Sequence, residues 1–173
     1  MQVLKDNLKL FYDDPKNVEA LVNCIIKETV SRRLLEYLVM WYSGPNDVKY
    51  MVEGPGGKMR EFRMYDEYKI ALEVWGKDWF DPFARKPKKT TKAGMMEIVH
   101  EGKHISLMIG QLNFFRWTIK NRILEYAMEH RPEIEKEKRE HDKLLPDCEK
   151  TAGGKRRRPR VYRNRISPVK KIS

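Results

Sequence analysis

The stretch Gln111 to Glu129 limits most tightly what this chain can fold into. Leu112, Phe115, Ile119, Ile123 and Tyr126 recur at helical spacing along one face, and Phe114, Trp117, Leu124 and Met128 widen that face. A helix apolar over so much of its circumference must be enclosed. The expectation is one helix over 111–129 at the centre of the fold, with the other elements packed around it.

Those elements can be read from the same kind of pattern. Val3, Leu4, Leu8, Leu10 and Phe11 give a short amphipathic helix over 2–12. Asp13-Asp14-Pro15 marks the next helix start, an acidic cap followed by a proline whose missing N–H the first turn does not need. Val18, Leu21, Val22, Ile25 and Ile26 follow it. A third helix over about 30–42 carries Leu34, Leu35, Leu38, Val39, Trp41 and Tyr42 and stops at Ser43-Gly44-Pro45-Asn46-Asp47. Val48, Tyr50 and Val52 alternate, Gly54-Pro55-Gly56-Gly57 turns, and Met59, Phe62 and Met64 return, which predicts a β-hairpin. Residues 65–76 are helical, Trp79 to Phe83 form an aromatic turn and Lys86 to Lys92 a basic loop. A second strand pair, Met95–Val99 and Ile105–Ile109, turns at Glu101-Gly102-Lys103. After Pro132 a charged helix runs to about Leu145, with Glu135 and Arg139 one turn apart. The expected fold class is α+β: a mainly helical single domain with one or two small β-hairpins and a disordered basic C-terminal tail. Its boundaries are a globular domain at 1–145, a linker at 146–154 and the tail at 155–173.

Charge is distributed unevenly. The net charge is +11, and residues 155–173 hold nine Lys or Arg and no acid, leaving 27 basic against 25 acidic side chains in residues 1–154. The body is therefore nearly neutral. Such asymmetry points to nucleic acid or an acidic partner. No apolar run reaches membrane-spanning length, and the first residues lack the layout of a signal peptide, so neither a membrane span nor secretion is expected. Two distant cysteines, Cys24 in an apolar helical pattern and Cys148 in the linker, fit free thiols in a reducing compartment.

The sharpest chemical pattern is His100-Glu101-Gly102-Lys103-His104, an H-E-x-x-H sequence. On a helix it would place two imidazoles on one face to bind zinc, with Glu101 as general base and Glu125 as a third ligand within reach. Here Gly102 stands at the centre and both flanks are strand-like, so a polar turn between two strands is the expected reading and zinc-dependent hydrolysis the minor alternative. Gly54-Pro55-Gly56-Gly57-Lys58 lacks phosphate-loop spacing and carries Met59 where a hydroxyl belongs, which again favours a turn. The aromatic residues Trp75, Trp79, Phe80 and Phe83 are read as core in preference to a base-stacking surface.

The tail is the strongest functional signal. Lys155, Arg156, Arg157, Arg158, Arg160, Arg163, Arg165, Lys170 and Lys171 are candidate contacts to phosphate or carboxylate groups, the arginines through their forked donors. Extended, 19 residues reach about 60 Å. A solubility tail or a nuclear-localisation patch is the plainer alternative. Val161, Tyr162, Ile166, Val169 and Ile172 punctuate the charges, as in a segment that lies along a protein groove on apolar anchors. Ser167-Pro168 offers a phosphorylation site that would reduce the local charge.

Leu34 to Tyr42, the run Tyr65 to Arg85 with Phe80-Asp81-Pro82-Phe83, the segment Ile109-Gly110-Gln111-Leu112-Asn113-Phe114-Phe115-Arg116-Trp117, and Ile166 to Ile172 together resemble a family of small proteins of nucleocytoplasmic large DNA viruses, the giant viruses. The resemblance covers roughly residues 8–130 and the last eight. It implies a viral origin and a tail that docks somewhere, and it brings no established activity with it. The expectation is a non-catalytic viral structural protein, associated with the virion core or genome and binding DNA or another polyanion through its tail. The alternative is a minor capsid or cement protein whose tail threads across neighbouring capsid subunits. Expected partners are DNA or an acidic viral capsid or core protein. No cofactor, metal or small-molecule substrate is expected. The expected locations are the virion and, during infection, the host cytoplasm or viral factory.

Overall fold

Caps and glycines set the element boundaries, and the structure, a computed structural model, describes residues 2–84 and 94–144. The chain divides into two units, Met1–Lys138 and Arg139–Ser173. Apart from the end of its last helix, everything described below belongs to the first.

Helix α1, Gln2–Tyr12, buries Leu4, Leu8 and Tyr12, three positions four residues apart. Asp14 caps α2, Pro15–Ile25, by accepting the Lys16 N–H at 2.9 Å, with Pro15 in the first turn as expected. Ser31 caps α3, Arg32–Tyr37, by accepting the Leu34 N–H. The predicted third helix is shorter as an α-helix than its pattern suggested. It widens into one π-helical turn at Leu38–Tyr42, ending where the Ser43 N–H donates to the Leu38 carbonyl at 2.9 Å.

The first hairpin pairs β1, Lys49–Glu53, with β2, Met59–Arg63, in the register Tyr50 to Phe62 and Val52 to Arg60. Its turn needs left-handed backbone at two consecutive residues, Gly56 and Gly57, which glycine supplies without steric penalty. Val52 and Phe62 face inward and are buried. Met64, expected to continue the strand, instead opens α4, Met64–Trp75. The second hairpin pairs β3, Met95–His100, with β4, Lys103–Met108, turning at Glu101 and Gly102.

The central helix is present but divided. It runs as α5, Ile109–Lys120, and α6, Ile123–Glu129. Asn121 ends α5, donating both its N–H and its side-chain amide to the Trp117 carbonyl, and Arg122 takes a left-handed conformation with φ of 55°. The expected unbroken helix over 111–129 is thus corrected. Asparagine is a residue that tolerates a helix C-terminus, and the bend lets α6 turn its apolar side, Ile123, Leu124 and Ala127, into the core. The central position holds: α5 touches α1, α2, α6 and β4, and buries Ile109, Leu112, Phe114 and Phe115 completely. Each such side chain contributes about 1.5–3 kcal/mol on removal from water.

The charged helix α7, Arg131–Leu144, inserts Ile134 into the core. Glu135 pairs with Arg131, one turn before it, at 2.7 Å, where the sequence suggested Arg139. Among the described residues the architecture is α+β as read: seven α-helices around two separate two-stranded antiparallel sheets. No helix there is long and apolar enough to cross a membrane.

Candidate functional site

The Ile109-to-Trp117 segment binds the aromatic turn to the central helix. Gln111 and Asn113 are both buried. Gln111 accepts the Met108 N–H at 3.3 Å and donates to the Pro82 carbonyl at 3.3 Å, while Asn113 donates to the Trp79 carbonyl at 3.0 Å. The Asp81 N–H donates to the Gly110 carbonyl at 3.2 Å. Asp81 also accepts the Phe83 N–H at 2.8 Å, closing the turn. A β-carbon at Gly110 would stand 2.9 Å from the Asp78 carbonyl oxygen, so only glycine allows this approach. The two buried amides thus satisfy loop carbonyls that no helix or sheet pairs.

This latch settles the aromatic cluster. Phe80 is buried and meets Phe114, Trp117 and Tyr68 with ring centroids 5.3, 5.5 and 6.0 Å away. Trp75 and Trp79 pack partly buried against the core. Phe83 is half-buried beneath the Arg32 guanidinium, 5.7 Å from its ring centre. The cluster is core and core edge, as its residue types suggested.

The H-E-x-x-H residues lie on the second hairpin. His100 ends β3 opposite Lys103, and His104 stands on β4 opposite Val99. Cross-strand partners share a face and neighbours alternate, so the two imidazoles occupy opposite faces of the ribbon. His104 pairs with Glu97 at 2.9 Å. Glu101 is in the turn with φ of 49°, and Glu125 belongs to α6. The pattern therefore lacks the helix on which its zinc chemistry depends. Among the described residues no three His, Cys, Asp or Glu side chains gather as a metal site would require. Gly54 to Lys58 is the first hairpin's turn.

Burial favours the neutral form of several titratable groups. Burial pushes the Cys24 thiol up to about 12, which suppresses thiolate reactivity, and its sulfur lies 3.3 Å from the Val30 carbonyl. Burial likewise raises Tyr12, whose hydroxyl donates to the Leu112 carbonyl at 2.8 Å, and Tyr50, whose hydroxyl donates to the Asn121 carbonyl at 2.8 Å. It takes Tyr68 and Tyr126 to about 12. The half-buried Arg116 on α5 is lowered by the same desolvation. Exposed Asp47 is lowered by its hydrogen bond to Lys49.

The proposed tail contacts, Lys155, Arg156, Arg157, Arg158, Arg160, Arg163, Arg165, Lys170 and Lys171, lie outside the described residues. So do the anchors Val161, Tyr162, Ile166, Val169 and Ile172, the linker at 146–154 with Cys148, and the basic loop Lys86 to Lys92.

Residues 1–159 match a family of unknown function, DUF7197. The chain belongs to this family. An uncharacterised protein of Acanthamoeba polyphaga mimivirus is 36% identical to this DUF7197 member over 144 residues, which are 83% of the chain. The chain covers 55% of that viral protein's length. No solved structure matches. The resemblance to a giant-virus family read from the sequence therefore holds. The family match also takes in the latch described above and the start of the arginine run, Lys155 to Pro159.

Proposed function

We propose that the chain is a non-catalytic viral structural protein that holds DNA or another polyanion through its basic C-terminal segment. The observation that carries this reading is the segregation of charge. Nine cations and no acid occupy residues 155–173, against a near-balance of 27 and 25 in the rest of the chain. Arginines that neutralise phosphates release condensed counterions, which gives salt-sensitive binding without base preference. The α+β body serves as the anchor from which the segment extends.

The test is fluorescence anisotropy of labelled duplex DNA across a salt series, with the full chain and with the chain truncated after Gly154. If seven of the nine cations engage phosphates, the log–log salt slope is about −6. Truncation removes most of that slope. Weak binding by both proteins overturns the reading.

A second reading has its own observation in Val161, Tyr162, Ile166, Val169 and Ile172, apolar residues interleaved with the cations. Phosphate binding does not need them, whereas a capsid or cement protein would use them as anchors in a groove. Substituting all five with serine leaves the DNA salt slope unchanged under the first reading. Under the second it abolishes binding to the viral capsid protein.

A further inference from the structure

A sheet of two strands has two outer edges, each a row of backbone donors and acceptors that a further strand can take up. On the first hairpin, the Gly54 N–H donates to the Lys58 carbonyl at 2.8 Å and the Met64 N–H to the Val48 carbonyl at 3.1 Å, one at each end of the β1–β2 ladder. Inter-strand bonds alternate along an antiparallel pair, so Tyr50 and Val52 turn their backbone groups toward β2. Lys49, Met51 and Glu53 turn theirs outward, along an edge that pairs with no other strand among the described residues. Met51 is 50% exposed, and Lys49 and Glu53 are exposed on either side of it. No proline or bulge interrupts the strand.

We propose that this edge of β1 pairs with the same edge of a second copy of the chain. A twofold axis at Met51 makes the pairing antiparallel. It sets Met51 against the partner's Met51, Lys49 against the partner's Glu53, and Glu53 against the partner's Lys49. Each opposed pair exchanges two backbone hydrogen bonds, about six in all. Opposite charges directly across a pair of strands attract, and the two methionines make an apolar contact between them. Glu53 makes no ion pair within its own chain among the described residues. Lys49 holds Asp47 at 2.6 Å with 47% of its side chain still exposed, so it can meet a second acid.

The other three edges lack this self-complementarity. Centred in the same way, β2 sets Glu61 against the partner's Glu61, and β3 sets Glu97 against the partner's Glu97, like charges that repel. On β4 the Met108 N–H is already given to Gln111. The order Lys49, Met51, Glu53 is what makes the edge of β1 fit its own copy. This pairing stands independently of what residues 155–173 bind.

The test is sedimentation velocity of the full chain from micromolar to millimolar concentration, in physiological salt that screens the repulsion between two net charges of +11. The expected result is a reversible monomer–dimer equilibrium, because a single short strand pairing makes a small interface. Lys49→Glu and Glu53→Lys each turn both charge pairs into like pairs, and each weakens the dimer about tenfold or more. Mixing the two variants in equal amounts restores association, since one chain then carries acids at both positions and the other bases. Amide exchange of the unsubstituted chain gives a readout independent of how the variants fold. The Lys49, Met51 and Glu53 amides gain protection as concentration rises, while Tyr50 and Val52, already bonded to β2, do not. A monomer at every concentration overturns the proposal. So do single variants that associate as well as the parent, a mixture no more associated than its components, or protection that grows elsewhere and not at the three edge amides.

Discussion

Replacing Tyr50 with phenylalanine tests what divides the central helix. The Tyr50 hydroxyl donates to the Asn121 carbonyl at 2.8 Å, where α5 ends, and Asn121 is only 7% exposed. The phenylalanine ring keeps its contacts with Phe62 and Tyr126, now 5.4 and 5.6 Å between centroids, so the change opens no cavity. The loss is therefore one hydrogen bond plus the desolvation of a carbonyl left without its donor, about 1.5 kcal/mol. For a folded unit of this size that lowers the melting midpoint by about 5 °C. Circular dichroism melts and urea titration read it, with an unchanged denaturant slope showing that the compactness of both states is preserved. A loss below about 0.3 kcal/mol would refute the reasoning. It would mean that Asn121 and Arg122 set the break locally and that the hairpin adds nothing to it.

Gly110→Ala sets two effects against each other. Helix propensity alone favours alanine by about 1 kcal/mol. The new β-carbon would sit 2.9 Å from the Asp78 carbonyl oxygen and 3.5 Å from the Trp79 carbonyl carbon, backbone that cannot swing aside, and overpacking costs about 1–3 kcal/mol. Net destabilisation is expected, with altered tryptophan fluorescence as the aromatic turn shifts. A more stable variant would refute the latch. Alkaline pH is predicted to unfold the chain early. Tyr12, Tyr50 and Cys24 have folded pKa values raised by burial, so the folded state holds their protons more tightly than the unfolded one. Their contribution is complete below the unfolded values, near 8.5 for the thiol and 10 for the phenols, and declines as pH rises beyond them. The decline is about 1.4 kcal/mol per pH unit for each fully buried group. Melts between pH 7 and 11.5 check this, and phenols that all titrate near 10 in the intact fold would contradict it.

Much of this protein is written in local pattern. The period of the apolar residues gave the helices. Asp14-Pro15 marked one helix start, and Gly56-Gly57 and Glu101-Gly102 marked two reversals, because caps and left-handed turns are properties of a few adjacent residues. Local pattern also sufficed to read His100 and His104 as hairpin residues, since a central glycine between β-branched flanks disfavours a helix. The charge of residues 155–173 is a fact of sequence alone.

Tertiary structure decided what depends on partners distant in the chain. The apolar pattern over 111–129 read as one unbroken helix, but α6 swings into the core because Ile123 and Ala127 are buried there, and Tyr50, 71 residues away, donates to the buried Asn121 carbonyl at the break. The roles of Gln111 and Asn113 were likewise illegible, since an amide in a helix shows nothing of the loop carbonyls it will meet. Sequence determines the elements, because their energies come from neighbours along the chain. Packing determines which polar groups meet, because each buried donor or acceptor must be satisfied by whatever the fold places beside it.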